Sequence, residues 1–465
     1  MNIRTGKISS ELSNVKIAIL FGLSQALLIG LCLQYSFYIP FFIIGTGLIF
    51  FTLRNTLFSV LVLVFLHFFI IQGTEGVSLT EVLVGLYLLS VFCIWFFRRR
   101  FIQSKPILED GTDWMFVLFL FFCIFSFVPA VLFAVSLTKW FRELVPFLTL
   151  LVFFPLRDSL KSKQDVRFVL LAVLGLSLIV AFRNLIHYGS AVRVAEMYWQ
   201  ITALRATSNE PLFFVPMVVA ISIFLFSHSV RVKMAMALLF LIFGVVLVVT
   251  FSRGYWIATG FALIVFFVLV PPGIKMRSLI YLSILLGLSG TVIALFFGDF
   301  GKLIVKSVFE RFLTIQSFFQ DPSVRNRILE ARALIRFVGE NPVLGYGLGK
   351  NYEFISILPR EMPTAYIHNA FLFLLFKVGL AGFIFFVLFY GAMILKGLRT
   401  FWMQQDVFLK AVLVGITSCL IAMLPLSFSS PQFYQKDSVL LITVGISILH
   451  ALGKIPECTK HVKIH

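Results

Sequence analysis

The sequence predicts an all-α integral membrane protein that crosses the bilayer many times. Of its 465 residues, 60% are hydrophobic and 13% are charged, and the mean hydropathy is +1.01. A soluble globular domain is about 45–50% apolar and about 25% charged. The 57 phenylalanines alone would be hard to bury in one soluble core. These values argue against a soluble enzyme, a disordered chain and a protein that binds nucleic acid.

Fourteen apolar stretches are candidates for membrane-spanning helices, each of which needs about 20 residues. They lie at 15–34, 36–53, 55–72, 79–97, 114–136, 144–156, 168–186, 211–227, 234–251, 255–271, 278–297, 367–390, 408–427 and 438–452. The shortest, 144–156, crosses only if flanking residues join it. We therefore expect about 12 to 14 transmembrane helices surrounded by membrane lipids.

The distribution of Lys and Arg predicts the orientation of these helices. The chain has 39 Lys and Arg against 21 Asp and Glu, which gives a formal net charge of +18. With a cytoplasmic N-terminus, alternate segments on the inner side hold 22 basic residues and the short outer segments hold seven. Basic residues concentrate on the cytoplasmic side of membrane proteins. Both termini are therefore predicted to be cytoplasmic.

The helix pattern divides the chain into three parts. Residues 1–297 form an N-terminal transmembrane bundle of about 11 spans, and residues 367–465 form the last helices and a cytoplasmic tail. Between them, 298–366 is the only long loop, on the outer side, and loops of this length are usually functional. The residue pattern of this loop predicts an amphipathic helix at 302–319 and a second helix at 324–338.

The second loop helix has recognisable boundaries and faces. Asp321 and Ser323 offer oxygens for its N-cap. Helical periodicity puts three arginines on one shared face and predicts a separate apolar face. The arginines are Arg325, Arg332 and Arg336, and the apolar residues are Ile328, Leu329, Ile335 and Val338.

The outer side also carries isolated arginines in short turns, where the charge rule does not predict them. Arg142, Arg205 and Arg253 each lie next to a predicted span. They are either interfacial anchors, as the neighbouring Tyr255 and Trp256 would suggest for Arg253, or parts of one cationic site. Arg side chains bind phosphate oxygens in pairs. The outer segments contain no Asp-x-Asp pair for a metal-bound diphosphate, so we predict an anion site without metal or cofactor.

His368 and Asn369 open the twelfth span at its outer end. A histidine at a membrane border is often an ordinary interfacial residue, but this one ends the arginine-rich loop. Because histidine exchanges a proton near neutral pH, it suits the role of general base. The sequence therefore offers a base and several cations at one membrane surface.

Three further features have structural interpretations. Gly379 and Gly382 have the spacing that lets a neighbouring helix pack closely. Lys377 lies in an apolar stretch and is either functional or part of a structural ion pair. The glycine-rich segment 345–349 lacks the following Lys-Ser/Thr and the preceding strand of a phosphate-binding loop, so we interpret it as a turn.

The spacing His368-Asn369, nine residues, Gly379-x-x-Gly382 resembles the signature of the O-antigen ligase and polymerase superfamily. The stretch from Asn326-Arg327 to Gly345-Tyr-Gly-Leu-Gly349 is similar to the outer-loop domain of that family. Ser252-Arg253-Gly254 and the outer Arg205 match as well. Together with the helix count and the single large outer loop, the resemblance extends over most of the chain.

The resemblance implies a GT-C-like membrane glycosyltransferase in the bacterial inner membrane, with its active site on the periplasmic side. Such proteins take a glycan from undecaprenyl diphosphate. Ligases pass it to lipid A–core, and polymerases pass it to a second lipid-linked glycan. Typical ligases have about twelve spans, so fourteen would favour a polymerase.

Carried over to this chain, the resemblance makes His368 the base that activates the acceptor. Arg253 and Arg205 would hold the diphosphate, and we assign further substrate contacts to Arg142, Arg325, Arg327 and Asn369. The main alternative is a flippase or transporter of lipid-linked oligosaccharides, which would also carry cations for a diphosphate. A scaffold for other envelope enzymes is a third interpretation.

Overall fold

The computed structural model describes residues 45–47, 50, 54–70, 79–194, 209–296, 321–358 and 363–454. Fifteen α-helices are assigned within these ranges. They are α1 Thr56–Ile70, α2 Leu79–Phe97, α3 Gly111–Phe125, α4 Phe127–Leu132, α5 Leu137–Thr149, α6 Phe153–Ser159, α7 Lys163–Val194, α8 Pro211–Phe226, α9 Val230–Val249, α10 Arg253–Leu269, α11 Pro272–Phe296, α12 Pro322–Glu340, α13 Ala370–Met403, α14 Val407–Leu426 and α15 Lys436–Leu452. Extended pairing in these ranges is limited to one antiparallel bridge between Tyr352 and Thr364.

The structure confirms an all-α integral membrane protein. Six helical stretches within the described ranges are long and apolar enough to cross a membrane: Glu81–Ile102, Gly111–Leu132, Lys163–Ser190, Val230–Val249, Ala370–Met403 and Val407–Leu426. Each predicted span from 55–72 onward lies on one or more helices. The predicted span 15–34, most of 36–53 and the predicted helix 302–319 lie outside the described residues.

The core lies around α8, α14 and α15, which are buried along most of their lengths. Large apolar side chains elsewhere remain exposed, for example Leu86 on α2, Leu171 on α7 and Leu388 on α13. A soluble protein would bury such residues, but a bilayer solvates them. The uncertain stretch 144–156 is part of α5 and α6, which a short 3₁₀ segment joins.

Helix α13 is broken at Gly379, where φ is 68° and ψ is −178°. The break leaves backbone groups in α13 without partners in their own helix. The loop that follows α12 supplies them: the amides of Tyr346 and Gly347 donate to the carbonyls of Phe376 and Lys377, at 2.8 and 3.0 Å. In return, the amides of Leu380 and Ala381 donate to the carbonyls of Pro342 and Val343, at 2.8 and 3.2 Å.

This contact requires glycine on both sides. A Cβ at Gly379 would lie 2.2 Å from the carbonyl oxygen of Val343, and one at Gly345 would lie 2.6 Å from the carbonyl oxygen of Phe376. Gly345, Gly347 and Gly349 all have positive φ, which confirms the predicted turn. Gly382 allows the close packing predicted for it, since its Cβ would lie 3.2 Å from Cβ of Phe122 on α3.

The loop helix α12 has the predicted position but not the predicted apolar face. Asp321 is its N-cap and accepts from the amide of Ser323 at 2.8 Å. Arg325, Arg332 and Arg336 are exposed, as expected for a shared face. Ile328 and Ile335, however, are 37% and 59% exposed. The buried residues are Val324, Asn326, Glu330 and Leu334.

The prediction of that apolar face was therefore wrong, because hydrogen bonds decide which side of α12 is buried. Asn326 accepts from the hydroxyl of Ser356 and the amide of Ile357 at 2.9 and 3.0 Å. Glu330 lies within hydrogen-bonding distance of Tyr352 and His368. Two polar side chains thus turn α12 toward the segment that leads into α13.

We expect Gly379→Ala to destabilise the protein by about 3 kcal/mol, because it adds backbone strain and a clash with Val343. Gly391→Ala on the same helix is the control, since its Cβ would meet nothing within 4 Å and alanine favours a helix by up to about 1 kcal/mol. Thermal unfolding in detergent measures both. Equal midpoints for the two variants would contradict the assigned break at Gly379.

Candidate functional site

A cavity of about 210 Å³ lies where several helices begin, and it brings together three residues that the sequence singled out. Arg253, Arg327 and His368 line it. They come from the start of α10, from α12 and from the residue before the N-cap of α13. Other polar lining residues include Glu210, Ser252, Ser323, Tyr366 and Gln435.

His368 is held by a buried carboxylate. Its Nδ1 lies 2.7 Å from Oε2 of Glu330, and its amide donates to Oε1 of the same residue at 3.3 Å. The Glu330 side chain is 3% exposed, against 25% for His368. A buried carboxylate needs such partners. The contact favours the tautomer with a proton on Nδ1, which leaves Nε2 as a proton acceptor.

Tyr352 completes the carboxylate's surroundings. Its hydroxyl contacts Oε1 of Glu330 and lies 3.0 Å from the carbonyl of Tyr366. Its ring is buried, and its backbone pairs with Thr364. The Glu330 carboxylate is thus fixed by groups from both ends of the loop before α13, and it fixes the imidazole in turn.

Arg253 connects α10 to the start of α12. Its Nη2 lies 2.6 Å from Oδ2 of Asp321. Burial alone would raise the pKa of the Asp321 carboxyl, but the Arg253 guanidinium and the amides of Ser323 and Val324 outweigh it and hold that pKa below its usual range. The Arg253 side chain remains 24% exposed. It is therefore positioned by a carboxylate and still faces the cavity.

The remaining predicted site residues lie elsewhere. Asn369 is the N-cap of α13, and its Oδ1 accepts from the amides of Phe371 and Leu372 at 3.0 Å. Arg325 is exposed and does not line the cavity, because a two-residue step along α12 turns it far from Arg327. Arg205 lies outside the described residues.

Arg142 belongs to a different cavity of about 250 Å³, which is mostly apolar. It shares this cavity with Glu81 and Lys436, between α1, α2, α5 and α15. The expectation that Arg142 joins Arg253 in one site is therefore corrected. Loop charge indicates the side of the membrane on which a residue lies but not the direction in which its helix turns it.

Sequence reasoning missed Glu330, Tyr352 and the pairing of Asp321 with Arg253. Glu330 stands among charged residues on an exposed loop helix, and nothing in the 38 residues that separate it from His368 indicates contact. The available signal was its four-residue spacing from Asn326 and Leu334. That spacing places all three on one face, and Leu334 is fully buried.

Lys377 forms a structural ion pair, which was one of its two interpretations. Its Nζ is buried, 2.9 Å from Glu143 on α5 and 2.6 Å from the carbonyl of Lys350. Glu143 also accepts from the amide of Gly349 at 2.6 Å. The pair ties α5, α13 and the glycine-rich turn together. Breaking a buried pair of this kind costs about 3–5 kcal/mol.

Within the described part of the chain, no group of three His, Cys, Asp or Glu residues is arranged to hold a metal ion. The cysteines described there, Cys93, Cys123 and Cys419, are free thiols. The polar side chains that line the His368 cavity are a histidine, a carboxylate, two arginines, an amide and hydroxyl groups.

Residues 237–387 match the family model described as O-antigen ligase. The match includes Arg253, Arg327, Glu330 and His368, as well as the break at Gly379. It confirms the resemblance that the motifs within these residues indicated. No curated protein matches the chain.

The lowered pKa of Asp321 predicts a pH-dependent contribution to stability. A carboxyl whose pKa is depressed on folding stabilises the protein above its unfolded pKa, about 3.9. That contribution is lost as the pH falls through the lower folded pKa. Asp321→Asn keeps a good N-cap residue and removes only the charge. At pH 5–8 we expect the variant to be less stable by up to about 1 kcal/mol, since the pair is partly exposed.

Thermal unfolding of both proteins from neutral to strongly acidic pH tests this. The difference between them should narrow below about pH 4 and then vanish. A difference that is absent at pH 7, or unchanged in strong acid, would show that the ion pair does not stabilise the fold.

Proposed function

We propose that this membrane protein of the O-antigen ligase and polymerase superfamily is a glycosyltransferase, which moves a glycan from undecaprenyl diphosphate to an acceptor hydroxyl. One observation carries the proposal: a histidine paired with a carboxylate and two arginines, Arg253 and Arg327, line the same cavity. The acceptor is lipid A–core for a ligase or a second lipid-linked glycan for a polymerase. The family match over residues 237–387 supports this class of reaction.

In the proposed reaction His368 is the general base. With Nδ1–H donated to Glu330, Nε2 takes the proton of the acceptor hydroxyl as its oxygen attacks the anomeric carbon. The bond between that carbon and the diphosphate oxygen breaks, and undecaprenyl diphosphate leaves. The Glu330 carboxylate, 2.7 Å from Nδ1, stabilises the imidazolium that forms. In-line attack inverts the anomeric configuration.

The leaving diphosphate gains negative charge as the glycosidic bond breaks. Arg253 and Arg327 offer guanidinium groups to its oxygens, and Asp321 holds Arg253 in place beforehand. Arg205 joins them in the proposal on the strength of the sequence resemblance. Because these cations can stabilise the charge themselves, we propose transfer without a metal ion.

We further propose that the cavity faces the periplasm from the bacterial inner membrane and that both termini are cytoplasmic. The charge distribution supports this orientation. Basic residues gather at the opposite end of the bundle, where Arg54 precedes α1, Arg98 follows α2 and Lys454 follows α15. That end has the character of a cytoplasmic surface.

His368→Ala should lower transfer by about 100-fold or more, because the acceptor loses its base. The assay uses purified protein reconstituted with one undecaprenyl-diphosphate-linked glycan in EDTA, with and without lipid A–core. His187→Ala is the control, since His187 is exposed on α7 and does not line the cavity. Normal transfer by His368→Ala in a folded sample would remove this residue from the mechanism.

The wild-type products of that assay separate the alternatives. A ladder of longer lipid-linked glycans without lipid A–core identifies a polymerase. A product that forms only when lipid A–core is added identifies a ligase. Movement of the donor across the bilayer without any transfer would replace the glycosyltransferase by a flippase.

Glu330→Gln should lower kcat by about 10²–10⁴-fold, since the amide can donate to Nδ1 and so favour the wrong tautomer of His368. The KM for the donor should change little, because Glu330 does not line the cavity. Glu330→Asp, which keeps the charge, should recover part of the lost rate. Equal losses of kcat in Glu330→Asp and Glu330→Gln, accompanied by a lower thermal midpoint, would show that Glu330 has only a structural role.

A further inference from the structure

A third and larger cavity, of about 760 Å³, lies at the end of the bundle opposite His368. Helix α15 runs from one cavity to the other. Gln435, just before the helix, lines the His368 cavity, while Ala451 and Lys454, at its other end, line the larger cavity. At 1.5 Å per residue, the 17 residues of α15 separate them by about 25 Å. The larger cavity is therefore too distant to belong to the proposed transfer site.

The side chains around this cavity are strongly basic. Seven basic residues line it against three acidic ones. The basic residues are Arg54, Arg98, Arg99, Lys105, Arg157, Lys161 and Lys454, and the acidic ones are Glu109, Asp158 and Asp165. A general preference for basic residues on one membrane face explains solvated surface charges. It does not explain why seven basic residues converge on one cavity.

Two of these arginines are built into the protein. Arg99 and Arg157 are 5% and 3% exposed. Arg99 forms ion pairs with Glu109 and Asp158. Arg157 pairs with Asp113 at 2.5 Å and with Asp158 at 3.2 Å. Burial of this many ionised groups is costly. The ion pairs hold both arginines in fixed positions in the wall of the cavity.

The acidic residues do not neutralise all seven basic residues that line this cavity. Among the described residues, the buried Nη2 of Arg157 has no hydrogen-bond partner. Arg54, Arg98, Lys105 and Lys161 are exposed around the cavity, and within the described ranges no ion pair joins them to a carboxylate. Glu109 and Asp158 are already occupied by Arg99. The cavity thus presents exposed cations that these carboxylates do not neutralise.

We propose that this cavity binds a phosphate-bearing anion. Phosphate oxygens accept hydrogen bonds from several guanidinium and ammonium groups at once, and they would neutralise the excess positive charge. The phosphate can come from an anionic phospholipid of the adjacent leaflet or from solution. Exposed Phe97, Phe101 and Ile102 flank Arg98, at a position where acyl chains would contact the protein.

The test compares two charge-matched triple variants. One is Arg54→Gln with Arg98→Gln and Lys161→Gln, which removes cavity cations that form no ion pair in the described ranges. The other is Arg100→Gln with Arg231→Gln and Arg399→Gln, which removes exposed arginines that do not line the cavity. Each protein is placed in phosphatidylcholine nanodiscs, in nanodiscs that also contain phosphatidylglycerol, and in phosphatidylcholine nanodiscs with added inorganic phosphate.

Thermal midpoints and the lipids retained in native mass spectrometry are the readouts. We expect the cavity variant to bind the phosphate group about 100-fold more weakly, since each lost hydrogen-bonding cation lowers the affinity about fivefold. The control should bind like the wild type, because its arginines do not line the cavity. Stabilisation by phosphatidylglycerol alone identifies a lipid headgroup, and stabilisation by inorganic phosphate identifies a soluble anion. Equal weakening of both variants, or no stabilisation of the wild type by either probe, overturns the proposal.

Discussion

The open backbone of α13 at Gly379 is the constraint on which much of this structure depends. The hydrocarbon interior offers no water to unpaired amides and carbonyls, and each would cost several kcal/mol. The loop after α12 satisfies them through four hydrogen bonds, and the pair between Lys377 and Glu143 secures the same region. Because α12 precedes this loop and His368 lies just before α13, the contact that satisfies the broken helix also fixes Glu330 relative to His368.

Three cations described above are positioned by a paired carboxylate. Asp321 holds Arg253, Glu143 holds Lys377 and Asp158 holds Arg99. In each pair the carboxylate comes from a different helix or loop than the cation. Such pairs contribute little net stability after the cost of desolvation. Their value lies in fixing long side chains in one geometry before a ligand arrives.

The helices and half of the candidate site could be predicted from the sequence because they depend on local rules. Apolar length identifies spans such as 408–427, and an N-cap residue identifies the start of α12. Glu330 could not be found in this way, since its partner lies 38 residues away in the chain. The apolar face predicted for α12 was wrong, because hydrogen bonds to Asn326 and Glu330 place a different face of the helix on the buried side. Arg142 shows that the side of the membrane does not determine which cavity a residue reaches.

The helix ends around the His368 cavity produce an electrostatic field that comes from the backbone. Cavity-lining residues stand at or within two residues of the first residues of α8, α10, α12, α13 and α15, whereas α14 ends there at Leu426. Each helix start carries about half a positive charge from its aligned peptide dipoles, and a helix end carries the opposite. The backbone alone therefore makes this pocket electropositive. An anion would be drawn toward it even after one arginine was replaced, and part of its affinity would not depend on any side chain.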